Sequence, residues 1–301
     1  MDLADLHIFK TVAEEGGILR ASRKLHRVQS SITTRVQQLE LSVGTQLFVR
    51  DKQRLFLSPQ GELLLAYADR LLRLAEEAKA AVAGSAPRGA LRLGALESTT
   101  ASRLPQILAR LHQGCPELRV ELTTGTNDAL TAAVADRRLD AAFVAEAPAH
   151  ADLSHLPLFT ERMVLISSLE HRPVRRPGDV AGDSVIAFPN GCAYRRVLER
   201  WLGDRSLASV RVLELSSYHA IVACVSSGTG VAVVPESVLD TVQSAQVARH
   251  ALPKVHSRVV TPLIWRASDH SPAVMALRKL AASVRANAKG IAQTRRAIAR
   301  S

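Results

Sequence analysis

Six side chains between Gln29 and Gln38 carry the chemistry needed to read a nucleic-acid duplex. Gln29, Ser30, Thr33, Thr34, Arg35 and Gln38 bring amides, hydroxyls and a guanidinium together in one short run. An amide pairs bidentately with adenine and a guanidinium with guanine, while hydroxyls serve bases or phosphates. No acid interrupts the run until Glu40, so nothing on it repels phosphate. Farther along, Asp51-Lys52-Gln53-Arg54 sets Lys52 and Arg54 at a basic turn between Leu47-Phe48-Val49 and Leu55-Phe56-Leu57. Such a turn reaches a neighbouring minor groove or the backbone.

A second group suits a small ligand. Ser98, Thr99 and Thr100, then Gly125, Thr126 and Asn127, then Asn190, Gly191 and Cys192 each fall at an expected helix start. Free N–H groups and the positive dipole end at such a start seat a carboxylate or phosphate, which predicts a polar or anionic metabolite. Ser and Thr at these places serve equally as N-caps. Cys192 opens its helix beside Arg195 and Arg196, and both features lower a thiol pKa. It reads either as a redox or electrophile sensor or as a small residue of the cleft wall or core. Cys224, inside Ile221-Val222-Ala223-Cys224-Val225, reads as core.

The elements that must hold these groups are legible in hydrophobic spacing. Leu3, Leu6, Phe9, Val12 and Ala13 give one amphipathic helix, ended by Gly16-Gly17. A short helix over 18–25 and a turn at His26-Arg27-Val28 lead to a third helix over 29–41. In it Ile32, Val36 and Leu39 point inward, and Ser30, Ser31, Thr34, Arg35, Gln37 and Gln38 lie opposite. Two short strands around the basic tip complete a winged helix-turn-helix over 1–59. Residues 60–83 are strongly helix-forming. Leu64, Ala68, Leu71, Ala75, Ala78 and Val82 make a seam for a second helix. Packing against the wing domain would explain the stripe but not its full length, which favours a dimer contact, and a hinge follows at 84–90.

From 91 to 286 strand and helix signals alternate, predicting an α/β domain of two lobes. Lobe I takes about 91–161 and 266–286, and lobe II about 162–265. Met163-Val164-Leu165-Ile166 leads into the second lobe and Pro262-Leu263-Ile264-Trp265 returns from it. A last helix is expected over Pro272–Val284, and 287–301 form a mobile basic tail. Ser226-Ser227-Gly228-Thr229-Gly230 lacks the strand-then-Gly-x-Gly-x-x-Gly order of a dinucleotide loop and reads as a tight turn.

The order Gln29-Ser30-Ser31-Ile32-Thr33-Thr34-Arg35-Val36-Gln37-Gln38-Leu39-Glu40 resembles the DNA-binding segment of LysR-type transcription regulators. Gly44-Thr45-Gln46-Leu47-Phe48-Val49-Arg50 and Leu57-Ser58-Pro59-Gln60-Gly61 continue the likeness. Leu19-Arg20-Ala21-Ser22 and Val28 depart from it. The resemblance implies an effector domain similar to periplasmic binding proteins with a ligand cleft between its lobes. It also implies a homodimer through the linker helix, assembling further into a homotetramer on double-stranded DNA.

Bulk properties agree. Thirty-nine Lys and Arg against 28 Asp and Glu give a formal charge of +11, which favours a polyanionic partner. Aromatic residues are 4%, too few for a surface that stacks unpaired bases. The sequence shows no secretory signal, no long apolar run and no zinc or disulfide cysteine spacing, so a cytoplasmic protein off the membrane is expected. The absence of Gly-x-Ser-x-Gly, His-Glu-x-x-His and metal-ligand clusters argues against an enzyme, a metal or a cofactor. The expectation is a sequence-specific regulator answering a small molecule. A thiol-based redox regulator of the same fold is the alternative, and a solute-binding protein is disfavoured by the first ninety residues.

Overall fold

The computed structural model describes residues 1–51, 54–83, 86–203, 211–242 and 246–298. They form two compact units, Met1–Ser85 and Ala86–Ser301.

In the first unit α1 (Leu3–Glu15), α2 (Ile18–Lys24) and α3 (Gln29–Val43) are followed by the hairpin β1 (Phe48–Asp51) and β2 (Arg54–Leu57). The long helix α4 (Pro59–Ala83) ends the unit. Asp2 caps α1, its side chain accepting from the Asp5 N–H while Asp5 accepts from Asp2. That reciprocal pair satisfies two of the donors a helix start leaves open. Leu6, Phe9, Leu39, Leu47 and Ala68 form one buried cluster, and Ile8, Val12, Ala21, Ile32 and Val36 another. The Phe9 and Phe48 rings meet at 5.3 Å between them. Glu40 ties α3 to the wing, its Oε1 accepting from Leu47 N–H at 2.8 Å and Phe48 N–H at 3.2 Å.

The seam of α4 departs from the predicted one at its N-terminal end. Ala68 and its neighbours Leu64, Leu65 and Leu72 pack inward within their own unit. Leu71 and Val82 of the predicted seam are exposed, together with Leu63, Tyr67 and Leu74, which it did not include. Helix α1 covers the face carrying Leu64 and Ala68, so over that first stretch the uncovered apolar residues are Leu63 and Tyr67, one position earlier.

The second unit starts with β3 (Gly89–Ala95), α5 (Glu97–Ser102), α6 (Leu104–Gly114), β4 (Leu118–Thr124), α7 (Asn127–Ala135) and β5 (Ala141–Phe143). β3 lies parallel to both β4 and β5. The 15-residue strand β6 (Leu153–Ser167) then runs from one lobe to the other. In the second lobe come β7 (Val185–Ala187), α8 (Ala193–Leu202), β8 (Val212–Glu214), α9 (Tyr218–Ser226), β9 (Ala232–Pro235), α10 (Glu236–Leu239) and β10 (Ala248–Ala251). β11 (Arg258–Arg266) returns antiparallel to β6 and β5, and α11 (Pro272–Ile298) closes the chain. Residues 153–162 of β6 pair with β11, and its end, residues 163–167, pairs with β9 and β10. Glu161, buried where β6 passes between lobes, is held by Arg103 at 2.9 Å and Ser237 at 2.6 Å.

Two segments are longer than their predicted spans. The return strand starts at Arg258, four residues before Pro262. α11 runs to Ile298 through the stretch expected as a mobile tail, because Ala, Arg, Lys and Gln there are strong helix formers and no proline interrupts them. The Gly-x-Gly turn is packing rather than a phosphate cradle. Gly228 has φ +80°, and a Cβ at Gly230 would lie 2.2 Å from the Ser184 carbonyl.

Candidate nucleic-acid face and effector cavity

Gln29, Ser30, Thr34 and Gln38 are exposed on α3, away from the buried Ile32, Val36 and Leu39. Two of the predicted contacts turn inward. The Thr33 hydroxyl donates to the Gln29 carbonyl at 3.0 Å, and the Arg35 guanidinium donates to Asp5 at 2.9 Å. Arg54 opens β2 opposite Asp51; Lys52 lies outside the described residues. Arg23 and Arg27, exposed beside the turn into α3, have no acidic partner among the described residues. Sequence reading passed over them as part of the helix-turn framework, although their charge was visible.

In the second unit a cavity of about 200 Å³ opens where strands end and helices begin. Of the nine predicted ligand residues, Ser98, Gly125, Thr126 and Cys192 line it. Thr99, Thr100, Asn127, Asn190 and Gly191 do not. The Thr100 hydroxyl is turned back to Leu96 O at 3.1 Å, and Asn127 Oδ1 accepts from the Ala145 N–H at 2.8 Å. Asn190 is exposed. Gly191, φ +86°, brings its loop close to Thr126, a Cβ there falling 3.3 Å from the threonine oxygen. Thr126 also caps α7, accepting from Ala129 N–H.

The wall contains residues the sequence reading missed: Glu97, Phe188, Tyr194, Ser216 and Tyr218 among them. Ser98 donates to the Tyr194 hydroxyl at 3.2 Å. The Phe188 and Tyr218 rings lie 4.6 Å apart, tilted by 51°. Burial pushes both tyrosines above the usual phenol range, so they remain neutral donors and acceptors. Ser216 precedes α9 in the same strand-to-helix arrangement as the predicted groups; β8 before it has three residues, too few for a clear period-2 signal.

Burial opposes activation of the Cys192 thiol. It does precede α8, and N–H groups of Arg195 and Tyr194 together with both arginine charges favour the thiolate, but burial outweighs them and raises its pKa. Arg195 is also engaged elsewhere, by Glu199 at 3.0 Å and by Glu214.

Residues 3–62 match the model of the bacterial regulatory helix-turn-helix proteins of the lysR family, and residues 84–286 match the LysR substrate binding domain. The chain belongs to the LysR family. It is a DNA-binding transcriptional regulator with an effector-binding domain. This LysR regulator is 34% identical over 268 residues to the regulator GltR of Bacillus subtilis (strain 168), spanning 88% of this chain and 90% of that one. It is 31% identical over 269 residues to the regulator SoxR of Arthrobacter sp. (strain TE1826), with 89% and 91% covered. A full-length OxyR variant from Pseudomonas aeruginosa shares the fold at TM-score 0.70 and 24% identity, with 95% of each chain covered. CbnR in complex with its target DNA shares it at TM-score 0.67 and 21% identity, over 94% of this chain and all of that one. No helix among the described residues is long and apolar enough to cross a membrane.

Proposed function

We propose that this LysR regulator binds a specific operator through Gln29, Ser30, Thr34 and Gln38 of α3, with Lys52, Arg54, Arg23 and Arg27 on flanking phosphates. Thr33 and Arg35 position the helix. The interlobe cavity at Ser98, Gly125, Thr126 and Cys192 is the effector seat. The observation that carries this reading is the cavity itself, lined by strand-to-helix connections of both lobes, where α/β folds seat ligands. The exposed stripe Leu63, Tyr67, Leu71, Leu74 and Val82 supports a homodimer through α4, since an apolar helix face of that length is covered in a soluble protein. Two such dimers would form a tetramer. The protein works in the cytoplasm and by binding rather than catalysis; effector binding favours one lobe arrangement and so alters the spacing of paired half-sites. A thiol-based switch at Cys192 has less support, because burial disfavours the thiolate.

Fluorescence anisotropy with the chain's own upstream DNA against random duplex, at two salt concentrations, tests the operator reading. A preference surviving moderate salt and lost in Gln38→Ala is expected. Equal binding to both duplexes that vanishes with salt would leave only a general polyanion affinity.

A further inference from the structure

The cavity wall carries one acid and no cation, which limits what fits there. No Lys, Arg or His lines it among the described residues, where Glu97 is its single charged side chain. His219, on α9, lies outside the wall but close enough for its charge to act on that carboxylate. One oxygen of Glu97 is engaged: Oε1 accepts from Tyr218 N–H, at the start of α9, at 3.4 Å. The positive end of α9, a natural seat for a ligand's anion, is therefore occupied by the protein's own carboxylate. The other oxygen, Oε2, is buried and has no hydrogen-bond partner among the described residues. An acceptor left unmet away from water is costly, more so on a charged group, and a ligand that donates to it removes the penalty. Beside it, Phe188 and Tyr218 offer aromatic surface of the kind that attracts cations. The volume of about 200 Å³ falls below the roughly 300–1,000 Å³ of drug-sized ligand sites, so the occupant is small.

We propose that this cavity binds a small organic ammonium ion, its N–H groups donating to Glu97 Oε2 and its carbon chain lying against Phe188 and Tyr218. The inference rests on the cavity being the effector seat. It reverses the ligand charge that the helix starts alone suggested, because an acid at position 97 supplies what a ligand anion would otherwise bring.

Isothermal titration calorimetry on the full chain tests it with primary alkylammonium chlorides from methyl to hexyl, the matching sodium carboxylates and the matching alcohols. The expected result is saturable one-to-one binding of an ammonium, with its matched carboxylate and alcohol about tenfold weaker or worse. Glu97→Gln, checked by circular dichroism for an intact fold, is expected to weaken the ammonium by about tenfold or more, as loss of a desolvated charge partner does. Tighter binding of a carboxylate than of its matched ammonium would overturn the charge class and leave the cavity as effector seat. Ammonium binding unchanged in Glu97→Gln would place it elsewhere and overturn the inference. Binding of none of the three series would remove the effector-seat reading as well.

Discussion

The Arg35 guanidinium donates to Asp5 Oδ1 at 2.9 Å and lies 3.7 Å from Asp2 Oδ2, so the basic side chain of α3 is tied to the first turn of α1. Asp5 is buried, at 8% exposure. Removing Arg35 would leave that carboxylate without its charged partner, whereas the arginine, partly in solvent, would rehydrate. Arg35→Ala is therefore expected to destabilise the first unit by about 1–2 kcal/mol, the lower range for a hydrogen bond to a charged group, given its exposure. Urea unfolding of Arg35→Ala, Asp5→Ala and the pair should return a coupling energy near 1 kcal/mol. Strict additivity would mean that the bridge holds nothing.

Gly61 owes its identity to space. It sits in the first turn of α4, where a Cβ would fall 2.1 Å from the Leu47 carbonyl oxygen. Its N–H donates to the Ser58 hydroxyl at 2.9 Å, and that hydroxyl donates to Gln46 O at 2.7 Å. The wing strand and the helix start are thus pinned together at backbone contact. Gly61→Ala, favourable to an isolated helix, should destabilise by roughly 1–3 kcal/mol or more through overpacking. A thermal melt showing stabilisation would contradict the contact.

These two sites show why much of the first unit could be read from the sequence. Ile32, Val36 and Leu39 obey one period and are all buried, and the Leu57-Ser58-Pro59-Gln60-Gly61 run corresponds to a local contact. The α4 stripe was harder: spacing reveals that a helix has an apolar side, but which residues stay uncovered depends on where α1 packs. In the second unit the strand-to-helix starts at Ser98, Thr126 and Cys192 were legible as local signals. Glu97 was not, because an acid in the first turn of a helix looks like ordinary dipole compensation. Its role follows from α9 arriving 121 residues later in the chain.

Cys192 offers a chemical check on the cavity. It is 6% exposed, whereas Cys115 and Cys224 are partly exposed. With its thiol pKa raised by burial, alkylation by iodoacetamide at pH 8, followed by mass spectrometry, should modify Cys192 more slowly than the other two. Operator affinity should be unchanged by hydrogen peroxide in Cys115→Ser/Cys224→Ser protein. Rapid labelling of Cys192, or a peroxide-dependent affinity in that variant, would revive the thiol switch.

Glu97 makes the pH dependence of the second unit specific. Burial raises its carboxyl above the ordinary value of 4.5, with the Tyr218 N–H and the charge of His219 pulling the other way. A folded-state pKa above the unfolded one favours the neutral acid in the fold. Its contribution is fully present below 4.5 and is lost as pH rises through the folded value. Tyr194, Tyr218 and Cys192, which share the cavity, are all pushed upward by burial and stay neutral over this range. Glu97→Gln should therefore melt higher than the wild type at pH 7, with the gap narrowing towards pH 4. A His219→Ala control, lacking the nearby basic group, should keep the sign. A bound ammonium requires the ionised carboxylate, so its affinity should climb with pH across the same window in the wild type and stay flat in Glu97→Gln. A melting difference that does not vary with pH would mean that Glu97 is ordinarily hydrated, and its second oxygen would then not be waiting for a donor.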